Sequence, residues 1–234
     1  MSGYSYPGGE LELFEKAHVW KSYWSRRIAR FVHGDVLEVG AGMGANTHAL
    51  AGLSYRRWVA LEPDRSLAGR IVLPEGGRHS AVIGTVEDLA AAERFDTILY
   101  LDVLEHIRED RAELARTGAH LNPGGVLVVL APAVEFLFTA FDRRIGHFRR
   151  YTKRTLRSIA PPGFSELEMA YLDSAGLLAS LGNRLLLRAS MPTAGQLSFW
   201  DRFLVPCSVR MDRLLCGAVG KSILAVWAAG EPSC

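Results

Sequence analysis

Three alternating glycines follow a short apolar stretch near the start of the chain. Gly40, Gly42 and Gly44 come directly after residues 36–39, and a helix-forming pattern follows them. A strand, a glycine turn and a helix together make a cradle for a nucleotide-like ligand, because glycine lets the main chain turn sharply and approach the ligand closely. The run also satisfies the looser dinucleotide pattern G-x-G-x-x-A, so the glycines alone leave the ligand open.

Two carboxylates flank this glycine loop. Glu38 lies just before it, and Glu62 closes the next apolar run about twenty residues later, where a carboxylate can accept from ribose hydroxyls. A negative charge on Glu38 would repel a diphosphate and attract a ligand that carries an ammonium and a sulfonium. We therefore count Glu38 among the ligand-binding residues and expect a positively charged ligand rather than a dinucleotide.

The elements that position these residues form an alternating pattern. Apolar segments predict strands, and helical patterns separate the first five of them. The predicted strands are residues 35–39, 57–61, 79–83, 95–101, 126–130, 167–172 and 222–228. Such alternation is typical of a mostly parallel sheet with helices on both faces. We predict an α/β fold with seven strands and a helical insertion before the last one.

The chain divides into four predicted parts. They are an N-terminal helical lid (1–34), an α/β core (35–173), a helical insertion or cap (174–220), and the last strand with the C-terminus (221–234). Trp20 and Trp24 lie on the apolar stripe of the lid helix, whereas Tyr23 lies off it. Tyr23 is therefore a candidate for contact with a substrate.

Several motifs together resemble the class I S-adenosylmethionine-dependent methyltransferases that act on small molecules. Between residues 36 and 131 the chain reads VLEVGAGMG, ALEPD, GTVEDL, FDTILYLDVLEHI and LNPGGVLVV, in that family's order and spacing. The resemblance implies a Rossmann-like fold and S-adenosyl-L-methionine as cofactor. It also implies the cofactor contacts: the three glycines beneath the methionine part, Glu62 at the ribose, Val86 with Glu87 or Asp88 at the adenine, and Leu101 with Asp102 at the amino-acid end.

A second stretch, FDRRIGHFRRYTKRTL at 141–156, resembles a segment that follows the fifth strand in some small-molecule members. His147 is the first candidate for a general base there, because imidazole changes protonation near neutral pH. His106 is the second and Tyr151 a weaker third. A structural hydrogen bond is the competing interpretation for His147. Arg149 and Arg150 could hold a carboxylate or phosphate of the substrate, or form part of a solvated face.

The function predicted from these residues is methyl transfer to oxygen or nitrogen of a small molecule, which could carry an anionic group. The reaction is an in-line displacement, in which the protein mainly aligns the reactants. A base is needed only if the acceptor atom must lose a proton. The alternatives are an NAD-dependent oxidoreductase and a cofactor-binding partner protein without catalytic activity.

Composition narrows the partners and the location. The net charge is only +2 and stacking aromatics are sparse in the basic stretch, so a nucleic-acid partner is disfavoured. No apolar run reaches membrane-spanning length and no secretory signal is evident, so a cytoplasmic protein is expected.

The three cysteines match no zinc spacing, and no metal is expected. Residues 174–220 could roof a substrate, form a homodimer face or lie on a membrane surface, and the first two are favoured.

Overall fold

A seven-stranded sheet forms the centre of the protein in a computed structural model, which describes residues 11–182 and 193–230. The strands are β1 (Asp35–Val39), β2 (Arg57–Glu62), β3 (His79–Ile83), β4 (Phe95–Leu101), β5 (Leu121–Pro132), β6 (Ser165–Leu172) and β7 (Ser222–Ala228). Their order is β3-β2-β1-β4-β5-β7-β6. The first five are parallel, whereas β7 runs antiparallel to both β5 and β6. The predicted fold class is confirmed.

The strands are separated by mostly short helices. These are α1 (Leu11–Glu15), α2 (His18–Ile28), α3 (Ala45–Leu50), α4 (Arg65–Ala68), α5 (Asp110–Gly118), α6 (Ala140–Arg144), α7 (Lys153–Ile159), α8 (Ser174–Gly182), α9 (Ala194–Phe199) and α10 (Val205–Leu214). A π-helical turn, Trp200–Leu204, joins α9 to α10. None of the helices in the described part of the chain combines the length and apolarity that crossing a membrane requires.

Both faces of the sheet are buried along β1, β2, β4, β5 and β7, whose alternate residues face different cores, whereas the edge strand β3 is largely exposed. One core contains Trp24 of α2, Trp58 of β2 and Trp200 of the π-helical turn. The other contains Leu114 of α5 and Leu156 of α7. A parallel sheet covered on both faces needs near-continuous apolar strands, which explains why the strands were recognisable in the sequence.

Buried carboxylates attach the insertion to the rest of the fold. Asp173, just after β6, accepts hydrogen bonds from Trp200 Nε1 at 2.7 Å and from Ser208 Oγ at 2.5 Å. Asp212 of α10 accepts from Tyr23 Oη at 2.8 Å and from the Asp173 amide at 2.7 Å. The described part of 174–220 is thus helical and packed on the core, while the boundaries of the four predicted parts stay a prediction.

The N-terminal helix, predicted as one continuous element from its apolar stripe, consists of two helices, α1 and α2. Asp201 explains where the second helix begins, because its carboxylate accepts from the Val19 amide at 3.1 Å and the Trp20 amide at 2.8 Å. The residue before α2, Ala17, has no side chain that could cap these amides. A residue of the insertion therefore caps a helix that precedes it by more than 180 positions in the chain.

Replacing this cap should weaken the fold. We expect Asp201→Ala to lower the free energy of unfolding by about 1–2 kcal/mol, because two first-turn amides of α2 lose a charged acceptor. Asp201→Asn, which keeps one acceptor oxygen, should cost less. Urea unfolding followed by tryptophan fluorescence measures both changes. Equal stability of Asp201→Ala and the unchanged protein would show that Asp201 does not cap α2.

Candidate functional site

A pocket of about 350 Å³ opens at the carboxyl ends of β1, β2 and β4. Ligands of parallel α/β sheets bind at this edge, next to the point where the strand order reverses. The lining comes from several separate segments: Leu11, Val39, Gly40, Gly42, Glu62, Pro63, Leu67, Gly84, Thr85, Val86, Glu87, Asp102, Val103, His106, Ile107 and Glu113. Six of the residues predicted to hold the cofactor lie in one cavity with His106: Gly40, Gly42, Glu62, Val86, Glu87 and Asp102.

The amides of the glycine loop are already used within the protein. Gly40 and Ala41 both donate to the carbonyl oxygen of Leu61, at 2.8 and 3.1 Å, and Gly44 donates to the carbonyl of Ala41 at 2.9 Å. Loops that bind phosphate instead direct their amides at the ligand. This loop therefore offers a diphosphate few donors.

Glu62 takes the remaining central amide of the loop. Its Oε2 accepts from the Gly42 amide at 2.8 Å, and its Oε1 accepts from the Asp64 amide at 2.9 Å. Burial raises the pKa of Glu62, and the two backbone hydrogen bonds oppose this effect. The carboxylate thus joins the loops after β1 and β2, and it lines the pocket where hydroxyl groups of a ligand could donate to its remaining lone pairs.

The three glycines are required for two different reasons. A Cβ on Gly40 would lie 2.7 Å from Val103 Cγ1, and one on Gly44 would lie 3.1 Å from Ile71 Cγ2. A Cβ on Gly42 would meet only Leu11 Cδ1, at 4.0 Å, and would project into the pocket region. Gly40 and Gly44 therefore permit close packing, whereas Gly42 keeps the cradle open for a ligand.

The structure places Glu38 beneath the loop rather than in the pocket. Only 1% of the residue is exposed, and its Oε2 accepts from Thr47 Oγ1 at 2.5 Å and Trp58 Nε1 at 3.0 Å. Burial raises its pKa to about 7, although these two hydrogen bonds act in the opposite direction. The expected role of a full negative charge facing the ligand is corrected, since Glu38 instead holds α3 and β2 against β1.

The predicted adenine contacts divide between pocket and scaffold. Val86 and Glu87 line the pocket, with Val86 1% exposed and Glu87 paired to Arg116 at 2.8 Å. Asp88 does not line it. Its Oδ2 accepts from the Thr85 amide at 2.8 Å and from Thr85 Oγ1 at 3.0 Å, which caps the short 3₁₀ turn Val86–Asp88.

The two residues predicted to contact the amino-acid end of the cofactor also differ in their position relative to the pocket. Leu101 is 3% exposed and does not line the pocket, so its side chain belongs to the core. Asp102 follows it with a left-handed backbone, φ +57°, and its exposed side chain lies at the pocket. Non-glycine residues rarely adopt this conformation, and the Asp102 amide donates to the carbonyl of Leu130 at 2.8 Å.

Of the three candidate catalytic residues, only His106 lines the pocket. His147 lies behind it, with ring centroids 4.5 Å apart, and its Nδ1 is 3.2 Å from Asp142 Oδ1. Burial, and next the neighbouring His147, lower the pKa of His106 to about 3, so the ring at the pocket is a neutral imidazole.

Tyr151 lies in the core rather than at the pocket. It is 1% exposed, and its hydroxyl donates to Asp110 Oδ2 at 2.9 Å and to the carbonyl of Leu104 at 3.2 Å. Burial first, and then the charge of Asp110, raise the pKa of Tyr151 well above its usual range. These contacts give Tyr151 a structural role.

The residues predicted to bind the substrate form ion pairs or hydrogen bonds with other residues, outside the pocket. Arg149 Nη1 pairs with Asp110 at 2.5 Å, and Arg150 pairs with Asp142 at 2.8 Å. Both line a depression that is separate from the cofactor pocket. Tyr23 is 8% exposed and donates to Asp212. These positions do not provide an anion site in the pocket.

Part of the pocket comes from the first helix and the loop edges, at residues that were not predicted to bind the cofactor. Leu11 of α1 lies over Gly42, and Thr85 and Val103 are among the other lining residues that were not predicted. Lys21 of α2 lies within electrostatic reach of Asp102, which partly offsets the lowering of the Lys21 pKa by burial. Thr85 and Val103 stand within two of the motifs without being singled out by them, whereas no local motif marks Leu11 and Lys21, because packing alone brings them to the pocket region.

Comparison with known proteins identifies the family. The profile described as a methyltransferase domain matches residues 16–165, and the chain belongs to this family. Its fold is that of the class I methyltransferases, and its cofactor is S-adenosyl-L-methionine. The match covers β1 to β5 and ends at the start of β6, so the insertion lies outside it.

Individual relatives are more distant. A ubiquinone biosynthesis O-methyltransferase of Azorhizobium caulinodans is 34% identical over 101 residues, which are 40% of this chain and 38% of that protein. The N-methyltransferase NodS of Bradyrhizobium japonicum with S-adenosyl-L-homocysteine gives a TM-score of 0.58 at 18% identity, covering 94% of this chain and 88% of that one. A SAM-dependent methyltransferase of Archaeoglobus fulgidus gives 0.62 at 16% identity, covering 94% and 97%. The two solved structures establish the fold alone.

The buried carboxyl of Glu38 should make stability depend on pH. Its pKa is higher in the folded state, about 7, than its ordinary value of 4.5. The stabilisation is therefore complete below pH 4.5 and is lost as the pH rises through about 7. Relative to Glu38→Gln, which does not titrate, the unchanged protein should lose about 3 kcal/mol of unfolding free energy between pH 4.5 and pH 8.

Denaturant unfolding of both proteins across this pH range measures the difference. All other titrating groups are shared and cancel when the two curves are subtracted. Parallel curves would mean that Glu38 titrates normally in the folded protein.

Proposed function

We propose that this protein transfers the methyl group of S-adenosyl-L-methionine to an oxygen or nitrogen atom of a small molecule. One observation carries the proposal: four amides of the glycine loop already donate to Leu61, Ala41 and Glu62, while Glu62 and Asp102 line the cavity. Carboxylates beside a loop with few available donors favour a ligand with positive charge and hydroxyl groups over a diphosphate.

The chain's own residues bind and align the reactants. Glu62 accepts from the ribose hydroxyls, Val86 packs against the adenine, and Asp102 accepts from the ammonium of the methionine part. The cofactor supplies an activated methyl group when it is bound. Since displacement at carbon needs in-line approach, holding both reactants can contribute about 7–11 kcal/mol to lowering the barrier.

The acceptor atom is proposed from the relatives and the pocket wall. The named relatives are an O-methyltransferase and an N-methyltransferase, and the O-methyltransferase match spans only 38% of that protein's length. His106 is the candidate catalytic residue that reaches the pocket, and His147 is proposed to position it. An anionic acceptor is not proposed, because Arg149 and Arg150 are each paired with an aspartate outside the pocket.

Calorimetry separates this function from the dinucleotide alternative. We expect S-adenosylmethionine and S-adenosylhomocysteine to bind with micromolar dissociation constants and NAD not to bind. Gly42→Val should weaken cofactor binding by at least about tenfold, because the side chain enters the cradle. Gly77→Val is the matched control, since Gly77 has φ +70°, close to the +58° of Gly42, and a Cβ there meets nothing within 4 Å.

In Gly77→Val, placing valine in a left-handed backbone conformation costs a similar free energy, about 1–2 kcal/mol, but the side chain does not enter the pocket. Equal cofactor affinity in the two variants would place the site elsewhere. Binding of NAD in place of the sulfur cofactors would overturn the proposed function.

A turnover assay tests the role of His106. We expect a panel of small phenols and amines to include an acceptor that releases S-adenosylhomocysteine. His106→Asn should lower kcat by at least about tenfold while the cofactor dissociation constant stays nearly unchanged. His120→Asn is the control, because His120 is a buried imidazole that binds the Glu93 carbonyl at 3.0 Å, away from the pocket.

Loss of activity in both histidine variants would indicate general destabilisation. Cofactor binding without turnover on any acceptor would support a cofactor-binding partner protein instead.

A further inference from the structure

Three side chains with metal-binding atoms meet behind the pocket wall. Glu105 and His106 belong to the 3₁₀ turn Leu104–His106 after β4, and His147 follows α6. One ligand atom from each lies within 4.8 Å of the other two. Glu105 Oε1 and His147 Nε2 are 3.7 Å apart. Residues more than forty positions apart thus form one cluster that no sequence spacing indicates.

Glu105 is the unusual member of this cluster. It is fully buried, and neither carboxylate oxygen accepts a hydrogen bond from another residue in the described part of the chain. A buried polar group without a partner costs free energy, and a buried carboxylate costs more. Such a group points to an absent partner, for which a cation is the natural chemical match.

The ring of His147 is held so that one nitrogen faces Glu105. Its Nδ1 lies 3.2 Å from Asp142 Oδ1, and Asp142 also accepts from Arg150 Nε at 2.8 Å and the Thr139 amide at 2.8 Å. Nε2 is therefore left on the side of Glu105. A carboxylate that binds the far nitrogen of an imidazole is the usual arrangement behind metal-bound histidines, because it fixes ring and tautomer.

The ligand types indicate the class of metal. Two imidazoles and one carboxylate suit zinc and neighbouring transition ions, whereas magnesium and calcium prefer shells of oxygen. Zinc bonds of about 2.1 Å in a tetrahedral shell separate adjacent ligand atoms by about 3.4 Å. The 3.7 Å between Glu105 Oε1 and His147 Nε2 is close to this spacing, and the three ligand atoms, which lie within 4.8 Å of one another, would move closer together on binding an ion.

We propose that Glu105, His106 and His147 bind one divalent transition-metal ion, of which zinc is the best match. Three protein ligands leave a fourth coordination position for water or another small oxygen ligand. Because His106 lines the cofactor pocket, the ion would lie directly behind the pocket wall. The site is inferred from ligand geometry alone and does not depend on methyl transfer.

Metal titration tests the proposal directly. Full-length protein is treated with EDTA, titrated with zinc chloride in a calorimeter, and analysed for bound zinc after desalting. We expect one zinc per chain, tight binding, and little binding of magnesium. Cobalt(II) in place of zinc should give the visible absorption bands of a four-coordinate site.

Two variants and a control localise the ion. Asp142→Asn alters the group that positions His147 and that also binds Arg150 and Thr139, and it should weaken zinc binding by about 10- to 100-fold. Glu105→Gln, which removes a ligand, should weaken it further. His18→Gln removes an exposed imidazole at the start of α2 and should leave the affinity unchanged. Circular dichroism verifies that each variant is folded.

The proposal is overturned by less than one zinc per chain in the unchanged protein. It is also overturned if His18→Gln lowers the affinity as much as Glu105→Gln does. Metal binding and cofactor binding are measured separately, so the failure of one leaves the other standing.

Discussion

The carboxylate of Glu62 is the interaction on which the pocket depends. By accepting from the amides of Gly42 and Asp64, it joins the loops that follow β1 and β2 and sets the distance between them. The same bond removes the central loop amide from the set of donors that a phosphate would need. One side chain thus shapes the cradle and removes one of the donors that a phosphate would use.

A second constraint is the dense set of buried carboxylates that join the insertion to the N-terminal helices. Asp173, Asp201 and Asp212 each accept from groups that are distant in the chain, including two amides of α2 and the hydroxyl of Tyr23. Buried charged acceptors are stabilising only when their hydrogen bonds are complete. The insertion therefore determines where α2 begins, and α1 before it places Leu11 over Gly42.

The region behind His106 has a different character. There the charges of Arg149 and Arg150, which looked from the sequence like a substrate fork, are compensated by Asp110 and Asp142. Through Asp142 this compensation also orients His147 toward Glu105. The basic stretch is thus scaffold for an imidazole–carboxylate cluster rather than a surface for an anion.

The sequence by itself determined the sheet, the glycine loop and the carboxylate at the end of β2. These are local features, since runs of apolar residues indicate buried strands and glycines indicate left-handed turns. Only the tertiary structure decided that Glu38 lies under the loop, that Asp88 is a helix cap, and that Tyr23, Tyr151 and both arginines are internally bonded. A polar residue next to a motif has the same sequence context whether its side chain faces a ligand or bonds to a residue that is distant in the chain. Its partner is chosen by packing between elements that can be more than a hundred residues apart.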